Sequence, residues 1–410
     1  MRWSVVSMGA ALTLGLTATA CGSSDSGGGA GGSAGVGAAG AGGFAAAGGS
    51  LTGGDGGLGG SAGTATSGGN GGSAGVAGGA GGSGGGAEPA VHFVGRHVVE
   101  DDASVRFGWS GSGLVVRFRG TAVRVTLDDP AHYFTVVVDG QVGARLATST
   151  GEQQYTLAEG LPDSEHVVEL YRRTEGSYGS THFLGVDIDG ELLAPPPVTR
   201  RIEVLGDSIT CGYGNEGADQ YCNFSADTEN HYLTYEAIAA RELGAELSTI
   251  AWSGKGVVYN YGTDTNQPLP EIHRRALPTQ GSSSWDFTSW QPDVVLINLG
   301  TNDFSTDGDP SESLFVGEYV GLLETLRGDY PSALILCTVA PKLFGNDQAQ
   351  AETYIASAVA QRNGAGDSLV KQVDVSTTST GFGCDWHPSL ATHRAMSERL
   401  VTLLKDELGW

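Results

Sequence analysis

The chain has 410 residues, 67 of them glycine, and a formal net charge of −24. This acidic balance argues against a nucleic-acid partner, and no internal segment reaches the roughly 20 consecutive apolar residues of a membrane span. The glycine excess lies largely in residues 22–88, and the rest of the chain is long enough for two modest domains.

Residues 1–21 have the pattern of a secretory signal peptide. Arg2 supplies a positive start, an apolar stretch runs from Val5 to Leu16, and LTATAC follows it. Cys21 resembles the lipidated cysteine of a bacterial lipobox, although Ala18 stands where leucine is usual. We expect an exported lipoprotein of the bacterial cell envelope, at the cell surface or in the periplasm. A secreted protein with an incidental cysteine is the alternative.

Residues 22–88 consist almost wholly of Gly, Ala and Ser, with few charges and few large apolar side chains. Such a segment cannot bury enough surface to offset its ordering entropy. It is predicted to be a disordered, flexible tether between the lipid anchor and the folded domains.

Residues 89–197 are predicted to form an antiparallel β-sandwich of the jelly-roll type. Short segments of alternating apolar and polar residues follow one another, separated by turn signals such as Asp139-Gly140. The segments are 114–120, 122–127, 133–140, 153–160 and 166–173. The stiff sequence APPP at 194–197 marks the boundary of this domain.

Residues 198–410 are predicted to form a three-layer α/β domain around a parallel sheet. Continuous apolar segments alternate here with segments of helical periodicity. The strand candidates are 201–206, 246–252, 293–300, 333–340 and 370–376, and the helix candidates are 229–243, 314–326, 351–362 and 393–408. In such sheets the functional residues gather in loops beyond the carboxyl ends of the strands.

Four cysteines lie outside the N-terminal segment, and an exported protein can keep disulfides. Cys211 and Cys222 are close in sequence, and we predict that they pair. Cys337 lies within an apolar run and is predicted to be a buried free thiol. The remaining cysteine, Cys384, has no predicted partner.

Ser208 lies just beyond the first strand candidate, in the sequence VLGDSITCGYG. The pattern is not the G-x-S-x-G of an α/β-hydrolase, and no lysine follows Gly214 as a phosphate-binding loop would require. A nucleophile at a strand-to-helix turn and a serine that only caps a helix remain as alternatives. Asp207 is expected to brace this turn through hydrogen bonds.

Three further motifs follow at the ends of strand candidates or before the last helix: SGKG (253–256), LGTND (299–303) and CDWHP (384–388). With GDS they resemble the blocks of the SGNH (GDSL-like) hydrolase family, from about Ile202 to the C-terminus. The resemblance implies a three-layer α/β hydrolase in which Ser208, Gly254, Asn302 and His387 are the functional residues.

The chemistry that this implies is serine catalysis. A serine hydroxyl is a weak nucleophile without a base, and His387 is the candidate base. By the resemblance, the oxyanion is stabilised by the main-chain N–H groups of Ser208 and Gly254 and by the Asn302 side chain, with Gly256 as the fallback. Asp385 is expected to orient the imidazole. Its D-x-H spacing departs from the family's D-x-x-H. The side chain reaches the imidazole if the loop bends, and the alternative is that Asp385 offers only its main-chain carbonyl.

A metal site made of His387, His393 and Asp385 is the competing interpretation of the C-terminal motif. Their spacing matches no standard zinc arrangement, and no cysteine pair supports one. We therefore expect neither a metal nor a cofactor.

The combination of a β-sandwich with GDSITCGYG, SADTEN (225–230), SGKGVVYNY (253–261) and GCDWHP resembles carbohydrate esterase family 2. The resemblance implies a carbohydrate O-acetylesterase that acts on acetylated plant polysaccharides or oligosaccharides, such as xylan and glucomannan, with a preference for primary 6-O positions. Trp386, Tyr259 and Tyr261 lie near the motifs and are candidates for stacking on sugars, with core packing as the alternative.

Two other functions compete with this prediction. An SGNH lipase, lysophospholipase or thioesterase would turn over long acyl esters, although no apolar lid segment lies near the motifs. A surface glycan-binding protein on a decayed hydrolase scaffold would need none of the predicted catalytic residues.

Overall fold

Two sheets of different kinds follow one another along the chain. The structure is a computed structural model, and it describes residues 90–339, 342–343, 345–377 and 381–410. The predicted signal peptide with Cys21 and the predicted tether at 22–88 lie outside the described residues.

The first sheet contains β1 (His92–Val94), β2 (His97–Val99), β3 (Val105–Phe107), β4 (Gly113–Pro130), β5 (Tyr133–Val138), β6 (Gln141–Val142), β7 (Leu146–Ala147), β8 (Thr150–Ala158), β9 (Ser164–Arg172) and β10 (Thr181–Leu193). The second contains β11 (Arg201–Gly206), β12 (Glu246–Ala251), β13 (Val294–Asn298), β14 (Leu334–Thr338) and β15 (Val370–Gln372). The helices are α1 (Ser208–Cys211), α2 (Tyr235–Glu242), α3 (Leu269–Ile272), α4 (Thr301–Phe304), α5 (Glu312–Asp329), α6 (Asn346–Gly364) and α7 (Leu390–Leu408).

The first sheet is antiparallel and is organised around the long strand β4. Strands β1 and β9 pair with its first half, β8 pairs with its second half, and β10 runs beside both. At a bulge between β4 and β10, a Cβ on Gly120 or Gly190 would lie 2.1 or 2.0 Å from a carbonyl oxygen of the other strand. Glycine at both positions therefore lets the strands approach closely. The apolar side chains of this sheet form one core cluster.

The second sheet is parallel, in the order β12-β11-β13-β14-β15. Strands β11, β13 and β14 are buried along nearly their whole length, which explains their continuous apolar sequences. The chain passes from β11 to β12 on one side of it and then crosses to β13 on its other side. Residues that follow β11, β12 and β13 therefore meet at one edge, where ligands bind in open α/β sheets.

Helices cover both faces of the parallel sheet. Helices α5 and α6 pack on one face with one apolar cluster, and α2 and α7 pack on the other face with a second cluster. This confirms the predicted fold class. The boundaries differ locally: α2 begins only at Tyr235 because His231–Leu233 forms a 3₁₀ turn, and α7 begins at Leu390 because Ser389 caps it. No helix in the described ranges is long and apolar enough to cross a membrane.

A buried ion pair joins the two sheets. Glu203, in the middle of β11, lies 3.0 Å from the guanidinium of Arg96 from the β1–β2 turn, and both side chains have no exposed surface. Tyr330 Oη donates to Glu203 Oε1 at 2.8 Å and Ser248 Oγ donates to Oε2 at 3.1 Å. A carboxylate in the core of one domain is thus neutralised by an arginine of the other, as a buried charge requires.

Candidate active site

Ser208 and His387 form a hydrogen-bonded pair at the carboxyl end of the parallel sheet. Ser208 begins α1 directly after β11, and the side chain of Asp207 accepts from the Ile209 N–H at 3.0 Å, which braces the turn as predicted. His387 follows the 3₁₀ turn Cys384–Trp386, and its Nε2 lies 2.8 Å from Ser208 Oγ. Both residues are about 5% exposed, so the pair is largely buried but retains a small surface that a ligand can reach.

The Asp385 carboxylate does not orient the imidazole, which corrects the first of the two expectations for this residue. Its Oδ2 accepts instead from Tyr213 Oη and from the Phe224 N–H, both at 3.0 Å. The main-chain carbonyl of Asp385 lies 3.1 Å from His387 Nδ1, and that of Cys384 lies at 3.3 Å. A carbonyl can accept the Nδ1 proton, so that Nε2 is the unprotonated nitrogen that faces the serine hydroxyl.

The local backbone conformation explains why the carbonyl of Asp385, and not its carboxylate, faces His387. Asp385 and Trp386 both adopt left-handed conformations, with φ of 52° and 61°. Such values are uncommon for residues other than glycine. The resulting tight turn aims the carbonyl at the ring and the carboxylate away from it. With only one residue between Asp385 and His387, this geometry replaces the side-chain contact of the longer family spacing.

The surroundings of His387 favour the neutral imidazole. The Tyr213 ring lies against the imidazole with a centroid separation of 4.2 Å. Lys342 Nζ lies 3.0 Å from His387 Nε2. Burial, reinforced by the positive charge of Lys342, lowers the pKa of His387 to about 3. The imidazole is therefore unprotonated and ready to act as a base over a wide pH range.

The predicted oxyanion donors make few hydrogen bonds within the protein. In the described part of the chain, neither the Ser208 nor the Gly254 main-chain N–H donates to another residue. The Asn302 side chain, in α4, donates to the Lys255 carbonyl oxygen at 2.8 Å, and its Nδ2 lies 3.4 Å from Asp207 Oδ2. The second contact is long for a hydrogen bond, so one amide hydrogen can turn to a ligand.

Sequence reasoning missed Asp303, the residue that holds the loop after β12 in its conformation. Its carboxylate accepts three main-chain hydrogen bonds, from the N–H groups of Val257, Val258 and Tyr259, at 2.8 to 2.9 Å. A Cβ on Gly256 would lie 2.0 Å from the Tyr259 carbonyl oxygen and 2.5 Å from Asp303 Oδ2. Gly256 is therefore a packing requirement of the loop, and Gly254 remains the donor candidate. The only signal in the sequence was the aspartate at the end of LGTND.

Two buried aspartates flank the site. Burial raises the pKa of Asp207 to about 6 and that of Asp303 to about 6. For each, the protonated form is favoured more in the folded than in the unfolded chain. Both therefore contribute stability below their unfolded pKa of about 3.9, and this contribution is lost as the pH rises through 6.

The predicted disulfide between Cys211 and Cys222 is wrong. Cys222 pairs with Cys384 across a sequence separation of 162 residues, and Cys211 is a buried free thiol. Cys211 is the last residue of α1, and its Sγ points to Glu175 Oε2 at 3.4 Å. Cys337 is a buried free thiol, as predicted. The bridge joins the loop before α2 to the turn that carries His387, and the Asp385 N–H donates to the Cys222 carbonyl oxygen at 3.1 Å.

The three candidate sugar-stacking residues differ in exposure. Trp386 is 46% exposed and Tyr261 is 64% exposed, whereas Tyr259 is half-buried and packs against the core. Sequence reasoning missed Tyr221, which is 76% exposed and lies edge-on to Trp386 with a ring-centroid separation of 5.9 Å. The disulfide brings these two rings together. Tyr221 and Trp386 therefore form an exposed aromatic surface next to the catalytic histidine candidate.

The alternative metal site is not assembled. His393 is buried in α7, where its Nδ1 accepts from the Tyr235 N–H at 3.2 Å. In the described ranges, one group of three potential ligands lies within 4.8 Å: Glu175, Cys211 and Glu229, all buried. Glu175 already accepts from the Ser253 N–H and from Cys211, so its carboxylate is committed to protein donors.

Two family models match the chain. The model described as Carbohydrate esterase 2 N-terminal matches residues 93–197, which hold the antiparallel sheet. The model described as GDSL-like Lipase/Acylhydrolase family matches residues 204–395, which hold the parallel sheet and the Ser208–His387 pair.

Several known proteins are similar over the same region. Cellulase/esterase CelE of Acetivibrio thermocellus is 40% identical over 327 residues, which is 78% of this chain but only 40% of CelE. An acetylxylan esterase / glucomannan deacetylase of Cellvibrio japonicus is 27% identical over 79% of this chain and 90% of its own length. The structure of a family two carbohydrate esterase from Clostridium thermocellum in complex with cellohexaose is 40% identical, with a TM-score of 0.75, over 78% of this chain and all of that one.

Proposed function

Because this chain belongs to carbohydrate esterase family 2, we propose that it is a serine esterase that removes O-acetyl groups from polysaccharides such as acetylated xylan and glucomannan. One observation carries the proposal. Ser208 Oγ lies 2.8 Å from His387 Nε2 at the end of the parallel sheet, as a nucleophile and its base require.

The proposed reaction has two steps. Ser208 Oγ attacks the acetyl carbonyl carbon while His387 Nε2 takes the hydroxyl proton. The tetrahedral oxyanion is held by the N–H groups of Ser208 and Gly254 and by the Asn302 amide. Its collapse breaks the ester bond, and the sugar oxygen leaves with the proton from His387. Water, deprotonated by His387, then attacks the carbonyl carbon of acetyl-Ser208. The bond to Ser208 Oγ breaks as His387 returns the proton to that oxygen, and acetate leaves. The main-chain carbonyl of Asp385 orients the imidazole throughout, and no cofactor takes part.

The surface beside the site supports a polysaccharide substrate. Trp386 and Tyr221 offer exposed aromatic faces next to His387, and aromatic rings bind extended ligands with little loss of conformational freedom. The names of the relatives support the same substrate class: one is an acetylxylan esterase / glucomannan deacetylase, and a solved relative holds cellohexaose.

We extend the proposal to location. The N-terminal sequence, with its apolar stretch and Cys21, supports export and lipid anchoring at the cell envelope. The Gly-rich residues 22–88 would then give the folded domains reach toward an insoluble polysaccharide. Metabolic labelling with a fatty acid, compared between the natural chain and Cys21→Ser, tests this part independently.

Acetate release tests the enzymatic proposal. The chain and its Ser208→Ala variant are incubated with acetylated xylan and acetylated glucomannan, with butyryl and octanoyl esters alongside. We expect release by the unaltered chain alone and a strong preference for acetyl. Turnover of the longer esters would favour a lipase-like enzyme. Absence of turnover with retained glycan binding would favour a binding protein.

A further inference from the structure

We propose that Glu175, in the antiparallel-sheet domain, positions the oxyanion hole of the catalytic domain. The inference rests on the function proposed above and deepens it, because it concerns the same site. The segment that carries a candidate oxyanion donor, residues 252–256, is called the oxyanion loop below. Glu175 itself lies outside the region of the four catalytic motifs, 33 residues before Ser208.

The main chain around Glu175 is held from both sides. Arg172, at the end of β9, is fully buried, and its guanidinium donates to the carbonyl oxygens of Thr174 and Glu175 at 2.9 Å each. The next residue, Arg173, accepts from the His231 N–H at 3.0 Å through its carbonyl oxygen. The segment 172–175 is therefore a rigid projection of the first domain that is anchored on the second.

The Glu175 side chain reaches two parts of the active site. Its Oε2 accepts from the Ser253 N–H at 2.6 Å and from Cys211 Sγ at 3.4 Å. Ser253 directly precedes Gly254, and Cys211 closes the short helix that Ser208 begins. One carboxylate thus joins the oxyanion loop to the helix of the nucleophile. Hydrogen bonds from N–H groups to carboxylates are among the stronger ones in proteins.

The oxyanion loop needs such a restraint. Gly254 has a φ of 80°, and the nearest atom that a Cβ there would meet is Tyr261 Cβ at 3.8 Å. Packing therefore does not fix the loop at this residue, and its carbonyl oxygen accepts one hydrogen bond, from the Tyr261 N–H at 2.8 Å. Glycine is also the residue with the widest choice of conformations. An oxyanion hole stabilises a transition state only when its donors are held in place before the reaction. The bond to Glu175 fixes the peptide immediately before the donor.

A second carboxylate between the domains offers a matched control. Glu216 in the catalytic domain forms an ion pair with Arg173, which is adjacent in sequence to the Glu175 segment. Its other oxygen accepts from Asn230 Nδ2 at 2.8 Å. Changing Glu216 to Gln removes one charge from the contact between the domains, as does Glu175→Gln. Of these two carboxylates, only that of Glu175 contacts the oxyanion loop.

The test compares the full chain with Glu175→Gln and Glu216→Gln, using an aryl acetate and a boronic acid that forms a tetrahedral adduct with Ser208. We expect Glu175→Gln to lower kcat by about 10- to 100-fold. This loss is smaller than the loss of kcat that follows removal of an entire oxyanion-hole donor. KM should change by less than about twofold, and boronate affinity should fall in parallel with kcat. Glu216→Gln should retain kcat and boronate affinity. Circular dichroism and thermal melts confirm that each variant is folded at the assay temperature.

Each other outcome overturns the inference. Unchanged kcat and boronate affinity in Glu175→Gln, or an equal loss in Glu216→Gln, would show that Glu175 does not position the donors. If Glu175→Gln does not fold, Glu175→Asp is measured against the same criteria. Loss of the fold in both would assign Glu175 to stability instead. Lack of turnover by the unaltered chain would refute the proposed function itself, which is a different result from turnover that Glu175→Gln leaves unchanged.

Discussion

The carboxylate of Asp385 accepts a hydrogen bond from the Tyr213 hydroxyl at 3.0 Å, while the carbonyl oxygen of the same residue lies 3.1 Å from Nδ1 of His387. The side chain thus supports the ring that packs on the imidazole, and the main chain orients the imidazole itself. In a catalytic triad the carboxylate of the aspartate orients the imidazole. Here the main-chain carbonyl of Asp385 does so, and its carboxylate holds Tyr213.

This division predicts unequal losses on substitution. Asp385→Asn keeps an oxygen for Tyr213 and leaves the main-chain carbonyl in place, so kcat should fall by less than about 10-fold. Ser208→Ala and His387→Ala should each lower kcat by 10³-fold or more, because they remove the nucleophile and the base. Kinetics on an aryl acetate measure all three. A loss in Asp385→Asn as large as that in His387→Ala would contradict the main-chain role.

The low pKa of His387 predicts activity in acid. A base is active when unprotonated, so the acid limb of the kcat/KM profile should lie below pH 6.5, the usual pKa of histidine. Lys342→Met removes the repulsion that helps to depress this pKa. The His387 pKa should then rise, and the acid limb should move to higher pH. A limb that stays in place or moves to lower pH in Lys342→Met would show that the lysine charge does not act on His387.

The Cys222–Cys384 bridge should stabilise the fold and the histidine turn together. It closes a loop of 162 residues, and removing a native disulfide costs about 2–5 kcal/mol. The double variant Cys222→Ser/Cys384→Ser should unfold at lower denaturant concentration. Adding a reductant should lower the free energy of unfolding of the unaltered chain to the same extent and should leave that of the double variant unchanged. Sensitivity of the double variant to the reductant would point to another cause.

The buried pair Arg96–Glu203 predicts a large loss from a single change. Arg96→Met leaves the Glu203 carboxylate buried without its counter-charge and should lower the free energy of unfolding by about 3–5 kcal/mol. Arg145→Ala breaks an exposed ion pair with Asp227 and should cost less than about 1 kcal/mol. Chemical denaturation measures both. Arg96→Met/Glu203→Gln should be more stable than Arg96→Met, and the opposite order would exclude the unpaired charge as the cause.

The exposed aromatic surface predicts an effect that depends on substrate size. Trp386→Ala or Tyr221→Ala should raise KM for acetylated polysaccharide by about 2- to 10-fold, since contacts of one aromatic ring contribute about 0.5–1.5 kcal/mol. KM for a small aryl acetate should change little, because that substrate does not extend beyond the serine. Equal changes on both substrates would indicate damage to the catalytic centre.

The positions of three candidate site residues could be predicted because their signals are local, whereas their roles and His387 came from the resemblance to the family. Ser208, Gly254 and Asn302 each follow an apolar strand, and a parallel sheet brings such positions to one edge whatever the details of the loops. The apolar strands themselves are readable, since they are buried on both faces. The fold class could be predicted from the same alternation of strands and helices.

The errors concern contacts that no local pattern encodes. Cys211 is close to Cys222 in sequence, but it lies in α1 and faces Glu175, whereas Cys384 reaches Cys222 from the far end of the chain. The orientation of Asp385 depends on a positive φ at a residue other than glycine, which sequence rules treat as rare. Glu175 carries no motif at all, and only the packing of the two domains places it beside the oxyanion loop.

The two partners of the Arg96–Glu203 ion pair are synthesised at different times. Arg96 precedes Glu203 by 107 residues, so it leaves the ribosome first, as part of a domain that folds as a unit. The arginine has then already been synthesised when the strand that must bury the glutamate emerges. A circular permutant that synthesises residues 198–410 first would present the same carboxylate to a forming sheet before its partner exists. Its yield of soluble protein should fall even though the finished contacts are identical.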